Sequence, residues 1–106
     1  MDDLEKILKV AEAQTKRFPN GNDPFKIVSR LLEESGEVAW ELNHYDRKGI
    51  SLECKNKDGK REIMCEMYQV MISLCHLLQY YDLQNDFRDR IDEVYKEYME
   101  KNLLVK

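Results

Sequence analysis

The residues best equipped for chemistry in this 106-residue chain are acids, and they are crowded. In RLLEESGEVAWEL, residues 30–42, Glu33, Glu34, Glu37 and Glu41 stand among leucine, valine, alanine and tryptophan. No lysine or arginine falls between Arg30 and Arg47 to relieve them. On a helix, with about 100° per residue, all four side chains fall within one arc of roughly 100°. Like charges three or four residues apart cost a helix only about 0.2–0.5 kcal/mol per pair. The stretch alone therefore suits either a solvated acidic face or a ligand set.

A second polar stripe follows in the chain. Glu62, Glu66, Gln69, Ser73, His76 and Tyr80 share one side of a helix, within roughly 40° of its centre. Ile63, Met67, Val70, Leu74 and Leu78 occupy the other side. A narrow polar stripe on an otherwise apolar helix faces water or the matching stripe of a neighbour. The neighbour joined by a short loop carries the first acids. Glu34, Glu37 and Glu66 brought together would form a strongly negative, oxygen-rich pocket. Such a pocket calls for a divalent cation, and hard oxygen ligands select magnesium or manganese over zinc.

The elements that must position these side chains are helices. Leu4, Ile7, Leu8 and Ala11 give one apolar face over about Asp3 to Arg17. FPNGNDP breaks the chain, with Asp23 as N-cap and Pro24 at the first helical position of a second helix ending near Gly49. GISLECKNKDGK reads as a loop of about ten residues, with a turn at Asp58-Gly59. A third helix is predicted over about Lys60 to Tyr81. A fourth is capped by Asn85 and has Phe87, Ile91, Val94, Tyr95 and Tyr98 on its face. With no strand pattern or repeat, the expectation is an all-α four-helix bundle in one domain, residues 1–106. A chain this short, with so wide an apolar arc on its third helix, is expected to assemble as a homodimer or homotetramer.

Composition excludes several classes. A net charge of −4 argues against a nucleic-acid partner, whose phosphates demand excess lysine and arginine. No apolar run approaches the roughly 18 residues of a membrane span. The opening MDDLEKILKV has no signal-peptide core, so a cytoplasmic location is expected. Cys54, Cys65 and Cys75 are odd in number and lack CxxC spacing, which fits reduced thiols better than zinc or disulfides.

EESGE at 33–37 and EMYQV at 66–70, separated by a loop, resemble the MazG-like all-α nucleoside triphosphate pyrophosphohydrolases. That group pairs Glu-x-x-Glu on one helix with Glu-x-x-Asp on the next. Glu34 and Glu37 match the first pair, Glu33 the acid that commonly precedes it, and Glu66 the glutamate of the second. The likeness runs from about Phe18 to Leu78 and includes FPNGNDPFKIVSRLLEESGE. It implies magnesium-dependent, or manganese-dependent, hydrolysis of a (deoxy)nucleoside triphosphate to monophosphate and pyrophosphate. Glu37 and Glu66 would be metal ligands, joined by Glu34, and Glu34 or Glu33 the base that activates water. The family's aspartate falls on Gln69, a neutral ligand, with Glu62 one turn earlier as the candidate replacement carboxylate. With no glycine-rich phosphate loop, Lys16, Arg17, Lys26, Lys60 and Arg61 are the cations that flank the motif. Each is otherwise a solvated charge. His44 is a candidate contact to the base, or an exposed helix-end histidine. Trp40 and Tyr45 could stack on a base or pack in the bundle or a subunit interface. Two other readings stay open: a helical nucleotide-binding or regulatory module without turnover, and a phosphoribosyl-ATP pyrophosphohydrolase.

Overall fold

The computed structural model describes residues 1–47 and 57–105, with the backbone alone at 44–47 and 57–59. Four helices and a single 3₁₀ turn account for most of it: α1 Asp3–Arg17, the turn Pro19–Gly21, α2 Pro24–Arg47, α3 Lys57–Tyr80 and α4 Gln84–Glu100. The expected all-α, four-helix architecture is present, with no strand among the described residues.

Local signals explain the first two helices. Asp2 caps α1 by accepting from the Glu5 amide at 2.8 Å. Asp3 and Glu5 lie in its first turn and Lys16 and Arg17 in its last, each sign at the dipole end it stabilises. Asp23 caps α2 through the Lys26 amide at 3.0 Å, and Pro24 takes the first helical position, where no amide hydrogen is needed.

Two boundaries differ from the sequence reading. Asp58-Gly59 is not a turn, because α3 already begins at Lys57 and contains both residues. Its first-turn amides need no intrahelical partner, so turn-forming residues are tolerated there. The rest of the expected loop, 48–56, lies outside the described residues. Nor does Asn85 cap α4. Leu83 occupies the cap without a side-chain bond, and Asn85 sits inside the helix. The turn from α3 explains the shift. Asp82 adopts the left-handed conformation (φ 54°), and the Leu83 amide donates back to the Leu78 carbonyl at 2.7 Å. This Schellman closure reverses the chain within three residues and starts α4 early.

α3 is the central element, packed along α2 and across α1, whereas α4 meets only a short part of it. Leu8, Ala11, Ile72 and Cys75 form the core, with Leu4 and Ile7 against it, and Ile27 and Ile63 are also fully buried. α3 buries part of its polar stripe, while Glu62, Gln69 and Tyr80 stay exposed. Ser73 and His76 are buried and Glu66 half-buried, flanked by Ile63, Ile72 and Cys75. Part of its apolar side faces outward, with Met67, Met71 and Leu74 exposed, whereas Ile63 of the same arc is buried. The chain is correspondingly open. Its accessible surface is 8414 Å², where a folded monomer of this mass exposes roughly 6,200 Å². Its radius of gyration is 16.8 Å, against about 13 Å for a compact domain of this length. Among the described residues no helix is long and apolar enough to cross a membrane.

Candidate functional site

The packing of α2 along α3 brings the two acidic faces to one region. Glu34 and Glu41 on α2 are half-buried, whereas Glu33 and Glu37 are exposed. From α3, Glu66 is half-buried, and Glu62 and Gln69 are exposed. Glu34 is the electrostatic centre. Burial, then the charges of Glu37, Glu33 and Glu66, hold its carboxyl above the ordinary carboxylate range. The effect of Glu66 on Glu34 shows that carboxylates of the two helices stand near each other.

Among the described residues, no three carboxylate, histidine or cysteine groups are gathered as a ready ligand set. The donor chemistry nonetheless fits a hard divalent cation. All the candidate donors are oxygens, and a carboxyl whose ionisation is opposed by three others is one that such a cation would relieve.

Glu34 and Gln69 also line a cavity of about 280 Å³ bounded by α1, the 3₁₀ turn, α2 and α3. Its floor is His76, with Ser73 and Ile72 beside it, and its walls include Gln14 and Thr15 from α1 and Phe18, Gly21 and Asn22 from the connection. Arg30, one turn before Glu34, reaches into it and donates to the Gly21 carbonyl at 3.1 Å. His76 lies 2.9 Å from Gln14 and 3.2 Å from Thr15 through its two ring nitrogens. Burial, and secondly the Arg30 charge, push its pKa below the usual histidine value, so the ring is neutral near pH 7. Gln79 fastens the same helix pair farther along, donating to the Leu8 carbonyl at 2.7 Å.

The lysines and arginines that flank the acids in sequence stand apart from this cavity. Lys16 pairs with Glu12 at 3.1 Å. Lys26 donates to the Asn20 carbonyl at 2.7 Å and lies 3.9 Å from Asp23. Lys60 and Arg61 are exposed at the start of α3, and Arg17 stacks over Phe18, 5.3 Å from the ring centre. None of the five lines the cavity. Trp40 is 61% exposed, outside the core of the single chain. The side chains of His44 and Tyr45 lie outside the described residues.

The sequence reading gives no role to Arg30, Gln14, Thr15 or Asn22. Arg30 had a signal, since it precedes Glu34 by four residues and shares its face. Gln14 and Thr15 had a weaker one, continuing the Leu8 and Ala11 face into polar residues. No protein-family model, curated protein or solved structure matches this chain.

Proposed function

We propose that this protein is a magnesium- or manganese-dependent nucleoside triphosphate pyrophosphohydrolase of MazG-like type. One observation carries the reading: Glu34, its proton affinity raised by burial and then by Glu37, Glu33 and Glu66, lines a cavity together with Arg30. Glu34, Glu37 and Glu66 would hold the cation, with Gln69 or Glu62 as a further ligand. The bound cation would neutralise phosphate charge and orient the triphosphate. Glu34 or Glu33 accepts a proton from a water aimed at the α-phosphorus. The new bond joins that water oxygen to phosphorus, and the bond to the bridging oxygen breaks to release pyrophosphate.

The homodimer belongs to the same proposal. Between α1, α3 and α4 an apolar groove of about 570 Å³ is lined by Leu4, Ile7, Val10, Met71, Phe87 and Ile91. The accessible surface exceeds that of a compact monomer by an amount comparable to what one partner loses in a large obligate interface. A second copy of this chain, covering the outward arc of α3 and the face of α4, would remove it. The free thiols Cys65 and Cys75 suit a reducing, cytoplasmic setting.

Gln69 favours one competing reading. It meets the cavity beside Glu34 without bringing charge, as a binding module without turnover would allow. Pyrophosphate release, measured over a panel of ribo- and deoxyribonucleoside triphosphates and phosphoribosyl-ATP with magnesium or manganese, separates the readings. The enzyme releases pyrophosphate and monophosphate in equal amounts. A binding module shifts its melting temperature with nucleotide and releases neither.

A further inference from the structure

His76 has both ring nitrogens occupied by α1, and this fixes what the cavity can offer a ligand. Its Nε2 lies 2.9 Å from Gln14 Oε1, and its Nδ1 3.2 Å from Thr15 Oγ1. A neutral imidazole has one donor and one acceptor. Gln14 Oε1 only accepts, so Nε2–H donates to it, and the Thr15 hydroxyl donates to Nδ1. Burial and the Arg30 charge oppose the doubly protonated ring. With one lone pair of its carbonyl thus engaged and the oxygen turned toward His76, Gln14 keeps both donors of its NH₂ group for whatever enters the cavity that it lines.

The surroundings narrow the ligand atom to a neutral acceptor. Among the described residues Arg30 is the only cation lining the cavity; its guanidinium already donates to Gly21, and Glu34 stands opposite in charge. That balance disfavours a phosphate at this end. Phe18 and Ile72 supply apolar wall, which suits a flat heterocycle.

We propose that Gln14 reads a carbonyl oxygen on the nucleotide's base, and that His76 is the positioning residue that holds the Gln14 amide with its donors toward the ligand. This specificity rests on the nucleotide reading above. It makes the site select keto over amino bases. An amino group at that position would face the Gln14 NH₂, donor against donor, and a buried donor left unpaired is costly enough to give about tenfold discrimination or more.

The test is calorimetric titration of the whole protein with two pairs of monophosphates that differ at the keto or amino position, dUMP against dCMP and IMP against AMP, with magnesium present. The wild type is expected to bind the keto member of at least one pair about tenfold more tightly. Gln14→Glu, which presents only acceptors, should abolish or invert the ratio. His76→Phe should bring it to about one while both members still bind. General destabilisation would weaken both members alike, so the ratio reports orientation, and each variant's melting temperature shows that it is folded. Wild-type binding with no keto preference overturns this proposal and leaves the pyrophosphohydrolase reading standing. Equal losses for both members in Gln14→Glu would also overturn it, placing Gln14 on the phosphate instead. No binding of any monophosphate or triphosphate would overturn both.

Discussion

The two faces of α3 are opposites in chemistry and in what covers them. The inward face carries Ser73, His76 and Glu66 and is covered by α1 and α2. The outward face carries Met67, Met71 and Leu74, which are 40%, 57% and 46% exposed. Hydrophobic burial alone would have turned the helix the other way. Part of the polar side faces in because its groups find partners there, Gln14 and Thr15 for His76, whereas Glu66 meets the like charge of Glu34, a repulsion that the proposed cation would relieve. The apolar side is left for another surface to cover. Fully burying a side chain of this size contributes about 1.5–3 kcal/mol. Met67, Met71, Leu74, Phe87 and Ile91 thus represent on the order of 5 kcal/mol that the lone chain does not realise, comparable to the whole stability of a small domain.

The sharpest way to break this comparison is to charge the outward face. If the proposed dimer covers this face, Met71→Asp should dissociate it at about 10 µM in sedimentation velocity, since an unpaired carboxylate in an apolar interface costs several kcal/mol. A wild type that sediments as a monomer would show that nothing covers this face. Next in size is Glu34→Gln on the inward face. It should lower pyrophosphate release by about 10²–10⁴-fold, the range for loss of a general base. It should also raise the melting temperature of the metal-free protein by about 2–4 °C, by removing carboxylate repulsion worth roughly 0.5 kcal/mol. Activity and stability moving in opposite directions would mark the inward face as built for function.

A smaller effect tests Gln69. If Glu62 supplies the missing carboxylate, Glu62→Gln should cost nearly as much rate as Glu66→Gln. Gln69→Asp should then tighten metal binding and make Glu62 less important, a coupling visible in a double-mutant cycle. An active wild type indifferent to Glu62→Gln would leave Gln69 as a neutral ligand.

The smallest effect is on pH. Because the folded state holds His76 below its unfolded pKa, the unfolded chain binds the extra proton first. Stability from this group is present above about pH 6.5 and declines as pH falls below it, with a slope of at most about 1.4 kcal/mol per unit. Glu34 acts in the opposite sense, its raised pKa favouring the fold as pH falls through it. Denaturant titrations of Glu34→Gln between pH 7 and 5 isolate the histidine. A flat profile there would show that His76 is not held neutral by the fold.

The sequence made the scaffold largely legible because its determinants are local. Asp23-Pro24 announces α2, and the apolar spacing of Leu4, Ile7, Leu8 and Ala11 defines α1. The end of α3 was less readable because its left-handed residue is Asp82, not glycine, and only the tertiary turn singles it out. The acids of α2 and α3 were legible because a carboxylate's spacing on a helix fixes its face. The wall supplied by α1 was not, since Thr15 and His76 meet across 61 residues, where the crossing of α1 over α3 decides the partners. The flanking lysines show the same limit. Nearness in sequence brought Lys16 and Lys26 to Glu12 and Asn20, while Arg30 entered the cavity.

The most direct test of the central claim is pyrophosphate release by the wild type over the triphosphate panel, with magnesium or manganese and then with chelator. The account predicts equal amounts of pyrophosphate and monophosphate from at least one nucleotide, loss of both with chelator, and loss in Glu34→Gln. It also predicts that millimolar magnesium or manganese raises the melting temperature by binding the native state, with no special advantage for zinc. No release from any triphosphate, together with a melting temperature indifferent to both ions with and without nucleotide, would contradict it.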